Sequence, residues 1–160
     1  MPEKETVDRA RRDRRAGKAP STQAGEFVRE EIHHVREGKH GAASTKQAIA
    51  IGLSKARRAG VKLPAPPASA SARTKKSAAA AAKAGAHGSR TPSARRSRAA
   101  RAALKREPRS TASNRALSQQ ARSAAHRRPA SARRAAARKA VRTKGATGRH
   151  KAAMKVRTRD

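Results

Sequence analysis

Six residues within eleven positions carry the side chains most able to do chemistry: Glu30, Glu31, His33, His34, Glu37 and His40. Glu30/His33 and Glu31/His34 are two overlapping Glu-x-x-His pairs. Carboxylate-bridged metal centres in helical bundles use that spacing, but they gather ligands from four helices. The sequence holds no second such motif, so the reading is a solvated helix face with no metal and no cofactor. His87, His126 and His150 stand alone in basic surroundings and add charge only at low pH.

Catalysis finds no other support. Beyond residue 37 the only acids are Glu107 and Asp160, and there is no Gly-x-x-x-x-Gly-Lys-Ser/Thr phosphate loop. The chain has no cysteine, which removes disulfides, thiolate metal sites and thiol nucleophiles. Ser93, Ser97 and Ser131 sit beside arginines, where phosphate would oppose anion binding. Helix caps and spacers are the plainer reading of these serines. The chain is therefore expected not to be an enzyme.

The stronger chemical signal is charge. The 160 residues include 42 Lys/Arg and 10 Asp/Glu, a net charge of +32. Residues 1–60 hold 14 basic and 8 acidic side chains, whereas residues 61–160 hold 28 and 2. The second part thus carries a net +26. Duplex DNA bears one charge per roughly 1.7 Å, so this arm matches about 44 Å, or about 13 base pairs. The residues expected to meet phosphate are Arg73, Lys75, Lys76, Arg95, Arg96, Arg98, Arg101, Lys105, Arg106, Arg127, Arg128, Arg133, Arg134, Arg138, Lys139, Arg142 and Lys144. Such contacts position a protein on its target without reading sequence. Phe27 is the only aromatic residue, which disfavours recognition of single strands by stacking.

The expected fold class is mostly α with extensive disorder. Forty residues are alanine and only 16 are Val, Ile, Leu, Met or Phe, too few for a continuous core. The expected organisation is a helical module over residues 1–60, a Pro-rich linker over 61–67, and a disordered basic tail over 68–160. Pro64, Pro66 and Pro67 mark the break.

Within the module, a polar segment from Glu3 to Ala16 is expected to fray, held only by pairs such as Glu5–Arg9. A second helix starts after Pro20, with Ser21 or Thr22 as cap and Ala24, Phe27, Val28, Ile32 and Val35 on one stripe. Gly38 and Gly41 break it. Ser44 and Gln47 match a capping box that opens a third helix, and Gly60 suits the position just past its end. The result is a hairpin, with two or three helices in the module. Ala48, Gly52 and Ala56 form a notch of small residues, and Phe27 is expected opposite Gly52 and Ala56. Glu31 and Lys55 fall inside the two apolar stripes. They are expected to reach solvent along the rim, the alternative being a pair that fixes register. The Ile49/Leu53 side is expected to support weak dimerisation through residues 21–60.

The tail contains an imperfect repeat, Pro92 to Ala103 and Pro129 to Ala140, in which Pro and Ser precede an Ala/Arg run. Pro suits a first helical turn, Ser caps, and Ala and Arg are strong helix formers. Thr74–Ala84 and Thr111–Arg127 are further candidates. Like-charge repulsion opposes all of these helices until a polyanion neutralises them.

Residues 21–31, Arg36 to Gly41 and Ser44 to Gly60 together resemble a family of small basic bacterial proteins with a domain of unknown function, sometimes labelled DNA-binding. The resemblance covers about residues 1–63 and implies no catalytic residues. The tail is similar in composition to the tails of linker histones and bacterial histone-like proteins, though richer in Arg. The functional expectation is histone-like, largely sequence-nonspecific DNA binding in a cytoplasmic, nucleoid setting. The alternatives are an RNA- or ribosome-associated basic protein, or a protein-recruiting module with a nucleic-acid anchor. No run of 18 apolar residues exists and the N-terminus carries no apolar segment, so neither a membrane span nor a secretory signal is expected.

Overall fold

The computed structural model of the protein describes residues 2–87 and 93–142. Among them every regular element is helical. The elements are α1 (Lys4–Arg15), α2 (Pro20–Arg36), α3 (Thr45–Arg58), α4 (Ala72–Ala86), α5 (Ala94–Lys105), a 3₁₀ turn at Ser110–Ala112 and α6 (Asn114–His126). Residues 130–142 are also helical. The chain divides into two units, Met1–Leu117 and Ser118–Asp160.

Local signals set the helix ends. Pro20 occupies the first turn of α2 behind Ala19, so the start lies earlier than a Ser21 or Thr22 cap would place it. The fixed φ of proline suits that position, and its missing N–H costs nothing there. Ser44 Oγ accepts from Gln47 N at 3.2 Å. The Gln47 side chain accepts in turn from Ala43 N at 2.6 Å, one residue before the usual partner of a capping box. At the other end of α2, Gly38 N donates to Val35 O and Lys39 N to His34 O. This is a Schellman closure, and it needs the positive φ of +77° that Gly38 adopts. Gly60 closes α3 in the same way, with φ +85°.

Two apolar clusters hold the first unit. Ala10, Ala24, Phe27 and Ala56 form one, with Val7, Leu53, Val61 and Leu63 against it. Ile32, Val35, Ala42, Ala48 and Ala112 form the other, with Val28 and Leu117 against it. Phe27 therefore meets Ala56, as the notch suggested. Gly52 instead faces Val28: a Cβ there would stand 2.7 Å from Val28 Cα. That close approach of backbones is the reason a side chain is missing at this position.

Several expectations are corrected here. Rather than a segment held only by its own ion pairs, α1 packs on α2, burying Thr6 and Ala10. Arg9 Nε reaches Glu26 Oε2 at 2.8 Å across the two helices. The packed unit also extends well past residue 60. Beyond the Pro-rich stretch, α4 lies against α3, with Ala81 buried. Residues 104–117 return to the α2–α3 hairpin. Gly41 N donates to Leu104 O at 2.8 Å and Ala42 N to Pro108 O at 3.2 Å. Thr45 Oγ1 donates to Thr111 O at 2.7 Å, and Arg36 Nε donates to Ala112 O at 2.8 Å. The expectation of a tail without fixed structure from residue 68 missed this docking because its apolar contribution is only Ala112 and Leu117. Hydrogen bonds and alanine burial do the rest.

Ile49, Ile51 and Leu53 are all half-buried, and α4 packs on their helix. The remaining helices differ in kind. No residue of α5 is buried, and every residue from 130 to 142 is exposed. These are helices of high propensity without an apolar face to bury.

Candidate functional site

Two groups of residues could meet a ligand, and they contrast in every physical respect. The first is the basic set. Arg73, Lys75 and Lys76 lie on α4; Arg95, Arg96, Arg98, Arg101 and Lys105 lie on α5, and Arg106 caps it. Arg127 and Arg128 follow α6, and Arg133, Arg134, Arg138, Lys139 and Arg142 lie in the helix over 130–142. All of these are exposed. Lys144 lies outside the described residues. On α5, Arg95, Arg98, Arg101 and Lys105 recur at three- and four-residue steps, which puts them on one side of the helix. From Arg95 to Lys105 this row spans about 15 Å at 1.5 Å per residue. In residues 130–142, Arg134, Arg138 and Arg142 repeat at four-residue steps on a common face.

The second group is polar and enclosed. Of the residues expected on a solvated face, His33 and Glu37 are exposed, but Glu30, Glu31, His34 and His40 are turned inward. Glu30 is 4% exposed and Glu31 is fully buried. Lys55 of α3 reaches both, at 2.9 Å from Glu30 Oε1 and 2.7 Å from Glu31 Oε2. Glu31 and Lys55 thus do not run to the rim; they form a pair between the hairpin's two helices. Such a pair penalises a slipped register, because either partner alone would be stranded in a low-dielectric site. His34 Nε2 lies 2.9 Å from Glu3 Oε1, and Glu3 N donates to Glu30 Oε2 at 3.1 Å. Beyond the Gly38 reversal, Lys39 Nζ pairs with Glu3 and Glu37, each at 3.2 Å. His40 folds back so that its Nε2 stands 3.2 Å from Glu31 Oε1, while its Nδ1 lies 2.9 Å from Gly41 O. The His34 and His40 rings meet edge to face, with centroids 6.2 Å apart. A cleft of about 290 Å³ opens beside this cluster and is lined by Glu3, Arg9, Glu30, His33 and His34 among others.

The charges respond as this geometry requires. Burial alone would raise the Glu30 carboxyl. Hydrogen bonds from Lys55, the Glu3 backbone and Thr6 outweigh it and hold Glu30 below the usual range. Burial likewise works against the Lys55 ammonium, but Glu31 and Glu30 hold it above its ordinary value. Glu3 is held low by His34 and then Lys39, and Lys39 is held high by Glu37 and then Glu3. Glu31 is the exception in bonding. Neither of its oxygens receives a well-aligned hydrogen bond, so its short contact with Lys55 is one of charge rather than direction. The Glu31/His34 spacing was visible in the sequence. What the sequence concealed was the glycine reversal that returns His40 to the same spot.

His87 and His126 are exposed, as expected for isolated residues, and His150 lies outside the described residues. Among the described residues no helix is long and apolar enough to cross a membrane. Residues 3–66 match a family of unknown function, DUF6496. No curated protein and no solved structure matches the chain.

Proposed function

We propose that the protein binds duplex DNA with little sequence preference, by neutralising phosphate with its exposed basic helices, as a histone-like protein of the nucleoid. The observation that carries this reading is α5, a helix that buries no residue and presents Arg95, Arg98, Arg101 and Lys105 along one side. A helix without an apolar face gains nothing from packing, and its like charges repel. An anion alongside it removes that repulsion, so binding and helix stability reinforce one another. The only Phe, Tyr or Trp side chain, Phe27, is fully buried, so no ring of that kind is exposed for bases to stack on. Phosphate contact by the exposed basic helices is the recognition chemistry this arrangement supports best, and the high charge density of a continuous duplex suits it.

The test is the salt dependence of binding to duplex DNA. With about 10 basic residues engaged, the slope of log affinity against log salt is near −9. Replacing Arg95, Arg96, Arg133 and Arg134 together weakens binding to all sequences alike, and lysines at those positions restore most of it. A salt-insensitive complex, or sequence preference that survives this replacement, overturns the reading. Tighter binding to structured RNA at equal salt would instead favour a ribosomal or RNA partner.

A further inference from the structure

We propose that Glu31, His34 and His40 form a site for a divalent transition metal ion, with Zn²⁺ the natural probe. One ligand atom from each of these residues lies within 4.8 Å of the other two. Hydrogen bonding decides which atoms are available. His40 Nδ1 faces the carbonyl of Gly41, which can only accept, so Nδ1 carries the proton. His34 Nε2 faces the Glu3 carboxylate and carries its proton for the same reason. In the neutral rings the lone pairs are then on His40 Nε2 and His34 Nδ1. Those atoms face Glu31 Oε1 at 3.2 Å and Glu30 Oε1 at 4.0 Å. Lone pairs set against carboxylates call for positive charge between them.

The spacing suits a metal. Ligands at about 2.0–2.1 Å from a tetrahedral ion stand about 3.3 Å apart, close to the 3.2 Å between Glu31 Oε1 and His40 Nε2. Oε1 serves the ion while Oε2 stays with Lys55. Both rings already have the outer partner that metal-bound histidines use, Glu3 for one and the Gly41 carbonyl for the other. The balance of charge also fits. Among the described residues Glu3, Glu30, Glu31 and Glu37 form ion pairs with two lysines, Lys39 and Lys55, so with neutral rings these six groups sum to −2 in a chain of net +32. Three protein ligands leave the fourth position of the ion to water or to a further donor. The cleft lined by His34 and Glu30 opens beside these residues.

Titration of the full chain, free of nucleic acid, with ZnCl₂ by calorimetry tests this, alongside the visible spectrum with Co²⁺. The expected result is one equivalent bound, a raised Tm and a tetrahedral Co²⁺ spectrum. His34→Ala and His40→Ala each weaken binding by at least about 100-fold, while His40→Cys, which keeps a ligand, retains it. Glu3→Gln, acting through His34, weakens binding about 10-fold without changing the Co²⁺ spectrum. His87→Ala and His126→Ala, at exposed rings, change nothing. Circular dichroism confirms that each variant is folded, and His40→Gln replaces any alanine variant that is not. Absence of uptake, uptake indifferent to His34 and His40, or two imidazolium rings that take up no ion would overturn the proposal.

Discussion

Replacing Lys55 by methionine removes the cation that, among the described residues, reaches both Glu30 and Glu31, at 2.9 and 2.7 Å. The methionine fills most of the same volume, so the change isolates charge from packing. It strands the fully buried Glu31 carboxylate, whose oxygens have no aligned hydrogen bond to fall back on. Breaking a buried pair from one side costs about 3–5 kcal/mol. Lys55 keeps 18% of its side-chain surface, which places the expected loss at the lower end, about 3 kcal/mol. With a urea m-value of about 1.5 kcal/mol/M, the unfolding midpoint falls by about 2 M. Urea melts followed by far-UV circular dichroism read this directly. The double variant Glu31→Met, Lys55→Met removes the stranded charge and recovers most of the loss, because a well-packed apolar pair often matches a buried ionic one. Recovery is incomplete to the extent that Glu30 misses Lys55, although Glu30 keeps the Glu3 N–H at 3.1 Å. A Lys55→Met protein within about 0.5 kcal/mol of the parent, the range of an ordinary surface change, would refute the buried-pair argument.

Stability should also depend on pH at both extremes. Glu30 is held below 4.5 when folded, so its contribution is present above that value and is lost as pH falls through the folded value; Lys55 is held above 10.5, so its contribution is present below 10.5 and is lost as pH rises through the folded value. Thermal melts across pH should show a plateau with losses in acid and in strong base, and Lys55→Met should flatten the alkaline loss; an unchanged alkaline limb would contradict the assignment. Gly41→Ala should unseat residues 104–117, since a Cβ there collides with the Glu107 carbonyl. The expected cost is about 1–3 kcal/mol, with faster hydrogen exchange at residue 41 and at Ala42; unchanged exchange would mean that the docking is absent.

Legibility followed the range of the interactions involved. The ends of α3 were readable because capping is local: Ser44 and Gln47 are three residues apart, and Gly60 acts within its own turn. The helical windows of α4, α6 and residues 130–142 were readable from alanine propensity and proline placement. The fates of Glu31 and Lys55 were not, because their burial depends on α2 and α3 meeting face to face. Both were noticed as polar residues in apolar stripes, which is the trace a buried pair leaves in one dimension. The docking of residues 104–117 left little trace. Leu117 is its one large apolar side chain in a cluster, and its other contacts come from main-chain groups, Thr111 and Ala112, none of which stands out in an alanine-rich stretch. The same alanine count that argued against a core by its small side chains supplies Ala10, Ala24, Ala42, Ala48, Ala56, Ala81 and Ala112 to the interior.

The two apolar clusters differ in how far along the chain they draw. The one around Phe27 takes every member from residues 7–63, inside the segment that matches the family. The one around Val35 is closed by Ala112 and Leu117, well outside that segment. A fragment trimmed to the family boundaries would therefore keep every member of the Phe27 cluster, though without α4 against α3, and would leave the other cluster uncapped, with Ile32, Val35, Ala42 and Ala48 open on one side. In this chain the lid of that second cluster comes from outside the matched segment, from Ala112 and Leu117. The segment is thus a portable fold on one flank and a socket on the other.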